Sequence, residues 1–190
     1  MPLAPERDLF PDGLFGPDFP RELAPGGPGG RWWLAHTKPR QEKALARHLS
    51  ARRFPFYLPC RSYRRKSGRR ILTSTLPIFP GYLFVWVTEA ERLATLAAAA
   101  LARLAAVPDQ GRLWDDLAGV RRVLDLGLPV TPVDRLPPGT RVAVRTGPLA
   151  GATGVVVREA SRRTFVIRVD LIGRGLAVVV DAATLGKLDG

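Results

Sequence analysis

Phe79-Pro80-Gly81-Tyr82-Leu83-Phe84-Val85-Trp86-Val87 is the most strand-like run in the chain. Successive side chains of a strand point to opposite faces, so Leu83, Val85 and Val87 share one face and Tyr82, Phe84 and Trp86 the other. The aliphatic face suits a core. The aromatic face needs a cover of its own. That cover is either a second layer of the same chain, as aromatics are usually buried, or a partner, since Tyr and Trp are enriched at interaction sites. On this run alone both readings stay open.

Upstream, residues 32–36 are aromatic and aliphatic and read as a first strand. Pro39 suits the first turn of a helix, and Glu42 lies near that start, where the helix dipole favours an acid. Leu45 and Leu49, with Ala44 beside them, give the helix an apolar stripe. Residues 54–58 are again strand-like and closed by Pro59. Residues 60–76, with Ser67-Gly68 as the turn, predict a projecting hairpin or long loop. Downstream, Thr88 and Glu91 have capping-box spacing. The helix they open is expected to carry Leu93, Leu96, Ala97, Ala100, Leu101 and Leu104 on one face. A second helix is expected to start at Asp115 or Asp116, bury Leu117, Val120 and Leu124, and stop at Gly127.

Residues 1–30 hold seven of the 18 prolines and six of the 19 glycines. That density of breakers predicts a disordered leader, with structure beginning at Arg31. Residues 31–127 form one domain, and Pro129, Pro132, Pro137 and Pro138 mark 128–138 as a semi-stiff linker. From Gly139 to the end the period changes to two. Runs at 141–145, 154–158, 164–169 and 176–180, separated by glycine turns, predict a small β-barrel. Gly147, Gly151 and Gly154 read as turn residues. Val, Ile, Thr and Phe in these runs favour strand over helix. The class is therefore α+β: an N-terminal antiparallel sheet flanked by helices, a Pro-rich linker, and a small C-terminal barrel.

The 190 residues carry a net charge of +12, which calls for a polyanionic partner. The charge is concentrated. Residues 31–80 hold thirteen Lys and Arg against the single acid Glu42, whereas residues 1–30 hold two arginines against five acids. Arg61, Arg64, Arg65, Lys66, Arg69 and Arg70 form the densest cluster, and they fall on the expected hairpin. Cations there bind phosphates without reading sequence, and Tyr63 could stack on a base. One cysteine, Cys60, excludes an internal disulfide framework, and with His36 and His48 it is too little for a four-ligand zinc site. No apolar run approaches the ~18 residues of a membrane span, and no signal peptide is expected. No nucleophile–base pair or paired carboxylates occur, and no Lys-Ser/Thr follows the Gly147-Pro148-Leu149-Ala150-Gly151 run. The chain reads as a cytoplasmic, monomeric binding protein with no enzymatic activity, cofactor or metal.

The 79–85 run, placed after a basic hairpin and a Trp-led strand, resembles the N-terminal domain of the NusG/RfaH family of transcription elongation factors. Gly139-Thr140-Arg141-Val142, followed by Gly147-Pro148-Leu149-Ala150-Gly151-Ala152-Thr153-Gly154, resembles the KOW motif of that family's C-terminal domain, an SH3-like barrel. The resemblance implies an elongation or antitermination factor that grips the clamp helices of RNA polymerase through an apolar depression and suppresses pausing or termination. Trp33, Phe79, Tyr82 and Phe84 match the depression. The basic hairpin matches the approach to upstream or non-template DNA, and Lys38 and Arg40, with Arg47 beside them, match contacts to the non-template strand. Leu171, Ile172, Gly173 and Arg174 match the KOW contact loop, which implies Rho or a small-subunit ribosomal protein as partner. Ile172 stands where the housekeeping protein has an aromatic, a departure that fits a specialised paralogue. The competing reading is a ribosome-associated KOW protein whose hairpin binds ribosomal RNA, for which the aromatic strand has no use.

Overall fold

The computed structural model describes residues 7–16, 19, 29–68, 70–135, 139–159, 162–179 and 185–187. Two units separate within the chain, residues 1–110 and 111–190.

The first unit is built on a five-stranded antiparallel sheet in the order β1-β3-β6-β2-β7. Its strands are β1 (Leu9–Phe10), β2 (Arg31–Thr37), β3 (Phe56–Tyr57), β6 (Tyr82–Val87) and β7 (Leu101–Ala106), with α1 (Glu42–Ala51) between β2 and β3 and α2 (Glu89–Leu96) between β6 and β7. Leu83, Val85 and Val87 enter one apolar cluster with Ala35, Phe56, and Leu45, Ala46 and Leu49 of α1. The alternation of β6 thus sends its aliphatic face to the helix-covered core. Thr88 caps α2 as the spacing predicts: its hydroxyl oxygen accepts the Glu91 amide at 3.3 Å, and its own amide donates to the Glu91 carboxylate at 2.8 Å.

Two expectations for this unit are corrected. The helix after Thr88 ends at Leu96, and Leu101 to Leu104 lie on β7, pairing with the outer edge of β2. Completing the sheet edge outweighs the local helical spacing, and Leu93 of α2 is left 58% exposed. The leader is also not without structure. Leu9 pairs with Tyr57 and Phe10 with Phe56, and Leu14 is fully buried. The prolines and glycines of this stretch make consecutive tight turns: the Leu14 amide donates to Pro11 and the Gly16 amide to Gly13.

Between β3 and β6 the chain forms the expected hairpin, β4 (Cys60–Ser67) and β5 (Arg70–Pro77). These two strands pair only with each other among the described residues, from Cys60↔Pro77 to Ser67↔Arg70. The Ile78 amide closes the neck on the Pro59 carbonyl at 2.8 Å.

The second unit contains most of α3 (Gln110–Asp125) and a six-stranded antiparallel sheet in the order β13-β9-β10-β11-β12-β8. The strands are β8 (Val130–Val133), β9 (Thr140–Val144), β10 (Thr153–Glu159), β11 (Arg162–Val169), β12 (Arg174–Val179) and β13 (Leu185–Lys187). The four runs predicted as strands are strands. Three features differ from expectation. α3 starts earlier than Asp115 and groups with the C-terminal unit. Val130–Val133, expected within the linker, pairs with β12. No pairing among the described residues closes β8 on β13, so among them the six strands form an open series and the closure expected of a barrel is not seen. β11 is its centre, with Phe165, Val166 and Ile167 all buried; consecutive buried residues mean that both faces are covered. Gly119 of α3 stands where an added Cβ would meet Ile167 at 3.4 Å, so α3 supplies one cover. Gly154, expected in a turn, lies in β10, where an added Cβ would fall 2.3 Å from the Val166 carbonyl.

Candidate functional site

Residues directly opposite in an antiparallel pair share a face. On the side away from the helices, β6 and β2 match Trp86 with Trp32, Phe84 with Leu34 and Tyr82 with His36. The Phe84 row continues to Tyr57 and Leu9 on one side and to Ala105 on the other. The Tyr82 row continues through His36 to Arg103. This is the aromatic face expected from the alternation. It is graded in burial. Phe84 and Tyr57 are 0% exposed and Trp32 2%, whereas Tyr82, His36 and Trp86 are half-buried. The His36 and Tyr82 rings lie 5.0 Å apart. Burial first, and then the Arg103 guanidinium, hold the His36 pKa below its ordinary value.

Of the four residues expected on the face, Tyr82 and Phe84 lie on it. Phe79 is buried in the turn before β6. Trp33 does not share the face: it pairs with Val85, on the helix-covered side, and packs against the core there. The guanidinium groups of Arg31 and Arg92 sit over its ring, 5.4 and 5.1 Å from the centroid. Trp32 occupies the corresponding place on the aromatic face. With two tryptophans in succession, composition cannot set the phase; the register with β6 does.

The Phe79-Pro80-Gly81 turn is held from below. Gly81 adopts φ +85°, a conformation that costs glycine little. Its amide donates to the buried Glu42 carboxylate at 2.8 Å, and its carbonyl accepts the Thr37 amide. Glu42, read from sequence as a helix-dipole acid, therefore also fixes the entry to β6.

The cationic hairpin belongs to the same unit. The Arg61 guanidinium lies 5.1 Å from the centre of the exposed Tyr63 ring, and Lys66 is exposed. Arg64, Arg65 and Arg70 occupy ladder positions opposite Thr73, Leu72 and Ser67; Arg69 lies outside the described residues. Lys38 and Arg40 sit on the turn between β2 and α1, both exposed, with Arg40 at φ +61°. Lys38 borders a surface groove of about 520 Å³ with Pro39, Gln41, Ala44, His48 and residues 98–100. The Lys38 amide donates to Ala100 at 3.0 Å, fixing the groove's two walls.

In the C-terminal unit, Leu171 and Ile172 are half-buried in a short 3-10 turn (Asp170–Ile172), followed by Gly173 and by Arg174 at the start of β12. Asp170 anchors this turn to α3. Its amide donates to the Asp116 carboxylate at 3.0 Å, and its own carboxylate accepts from Arg112 and Arg168. Asp116 is buried, and desolvation pushes its pKa up to about 6 despite the Asp170 amide and Arg112.

Among the described residues, no helix is long and apolar enough to cross a membrane, and no three His, Cys, Asp or Glu side chains gather as a metal site.

Comparison with known proteins places the first unit. The family model described as "Transcription termination factor nusG" matches residues 30–112, which span β2 to the start of α3. Among solved structures, "Domain interaction in Thermotoga maritima NusG" is 17% identical, with 84% of this chain and 98% of that one covered and a TM-score of 0.48. "Crystal Structure of MjSpt4:Spt5 complex conformation B" is 14% identical, with 84% and 97% covered and a TM-score of 0.25. Both TM-scores lie under 0.5, so the family match is the informative finding. No curated protein matches the chain.

Proposed function

We propose that the chain, whose residues 30–112 match the model of the NusG family, is a bacterial elongation or antitermination factor that rides on RNA polymerase. The aromatic face of β2, β3 and β6 docks an apolar helical element of the polymerase clamp, with Tyr82 and Trp86 at its accessible rim. The hairpin cations Arg61, Arg64, Arg65, Lys66, Arg69 and Arg70, with Lys38 at the groove and Arg40 on the same turn, hold upstream or non-template DNA. This hold is electrostatic and independent of sequence, apart from any base stacked on Tyr63. The Leu171–Arg174 loop is a separate docking point, for Rho or a small-subunit ribosomal protein. The protein acts in the cytoplasm, by binding and without chemistry of its own.

One observation carries this reading. A row of aromatic residues runs across three strands on the face that the helices leave to other occupants, in the same unit as a cationic hairpin. A ribosomal-RNA-binding module has use for the hairpin but none for the row. The test is in-vitro transcription on a pausing template. The protein is expected to shorten pauses, and Arg61→Ala/Lys66→Ala to weaken that effect. The same variant is expected to flatten the salt dependence of DNA binding by roughly 0.7–0.9 in log–log slope for each phosphate no longer neutralised. Failure to bind core polymerase, with retained binding to ribosomal RNA, would transfer the protein to the competing class.

A further inference from the structure

The buried part of the aromatic face is covered by the chain's own N-terminal segment. The Phe15 ring lies nearly parallel to Trp32, at 6.2 Å and 11°, and edge-on to Tyr57 at 5.1 Å. The Phe19 ring stands edge-on to Trp86 at 5.0 Å. Leu14, beside Phe15, has no exposed surface. Three of the face's aromatic residues thus take ring partners from one short stretch, and with it in place Trp32 and Tyr57 have almost no surface left to offer.

The stretch is held differently from the sheet beneath it. β1 contributes two paired residues to β3, itself only two residues long, and the Leu58 amide adds one bond to the Asp8 carbonyl at 2.7 Å. The backbone bonds Leu14 to Pro11, Gly16 to Gly13 and Phe19 to Gly16 are turns within the segment, and Phe15 and Phe19 lay their rings on the sheet's aromatic residues. A two-residue ladder and a few apolar side chains make a detachable cover, because local opening costs only the interactions of the part that opens. A few apolar side chains presented together are also what an amphipathic helix lays into an apolar groove.

We infer that residues 9–16, with Phe19, are an internal occupant of the aromatic face, a strap that an incoming polymerase element must displace. The inference rests on the polymerase reading for the identity of the competitor. The less buried end of the face, His36 and Tyr82, is the foothold at which displacement begins. The strap scales the apparent affinity by the fraction of molecules in which it is open, and so tunes recruitment by covering part of the docking face.

The experiment uses the full chain. In Phe15→Ala/Phe19→Ala, affinity for core RNA polymerase is expected to rise by about tenfold, as the competent fraction grows, with the circular dichroism spectrum retained. Unchanged or weaker affinity in a folded variant overturns the strap. Hydrogen exchange on the unaltered protein supplies the second readout. The Leu58 amide is expected to exchange on the order of 100-fold faster than the β2–β6 ladder, and faster again when core polymerase is added. Equal rates without polymerase, or protection of Leu58 on adding it, overturn the strap. If neither chain binds polymerase, the polymerase reading fails alone, and the exchange comparison without polymerase still decides whether the cover detaches.

Discussion

Phe84 and Tyr82 stand two residues apart on one face of one strand, yet their surroundings separate what each can report. Phe84 is fully buried, so Phe84→Ala is expected to cost ~3–5 kcal/mol of stability and to lose binding with folding. Tyr82 is half-buried at the rim, so Tyr82→Ala is expected to cost about 1 kcal/mol while weakening capture by core polymerase. Urea denaturation beside a polymerase pull-down checks both, and a Tyr82→Ala chain that binds normally would remove the rim from the docking surface. The faces of β6 are readable from sequence because aliphatic and aromatic residues strictly alternate there. Those of the Trp32–Trp33 pair are not, since either phase satisfies the sequence and only pairing across to β6 chooses. Glu42 shows another limit: its place in the first turn is legible, but its bond to Gly81, 39 residues away, is not.

At the scale of elements, α3 carries the clearest pH dependence. Asp116, mid-helix, is buried against the Asp170 turn with its pKa raised to about 6. A raised carboxyl pKa means that the folded chain holds the proton more tightly than the unfolded one. The unit is therefore expected to lose stability as pH climbs from about 4 to about 6, by roughly 3 kcal/mol for a shift of this size. Asp116→Asn keeps a carbonyl acceptor for the Asp170 amide and removes the ionisation. Thermal unfolding measured from pH 4 to pH 8 is expected to lose its slope in the variant; an unaltered slope would assign it to other groups. Sequence alone finds most elements here because capping, breakers and period agree. It misses the switch from α2 to β7 because Leu101 and Leu104 satisfy a helical stripe as well as a sheet edge. It passes over the leader because prolines and glycines register as broken periodicity, whatever receptors wait for Leu14, Phe15 and Phe19.

For the molecule as a whole, proline density suggests a boundary at 128–138, whereas the packing puts it at Gln110. β8 pairs with β12, and α3 packs on Ile167 and bonds Asp170, so both complete the C-terminal unit. A fragment beginning at Gly111 is expected to unfold cooperatively with strand-like carbon shifts across 154–169. One beginning at Gly139 leaves the β12 edge and the Ile167 face bare and is expected to bind a hydrophobic dye and melt at lower temperature. Equal stability of the two fragments would make α3 and β8 passengers.

The β4–β5 hairpin has a consequence for how such a molecule can change over generations. Its strands pair with nothing else among the described residues, and its neck is fastened by the Pro59–Ile78 bond. Residues can therefore be added or removed in matched pairs without shifting the register of the main sheet. Each pair alters the reach by roughly 3.4 Å. Leu72 at 52% and Ile71 at 60% exposure show that burial of these side chains does not fix the present length. The hairpin is an adjustable arm, and its span can drift or be exchanged between relatives while the platform beneath it stays the same.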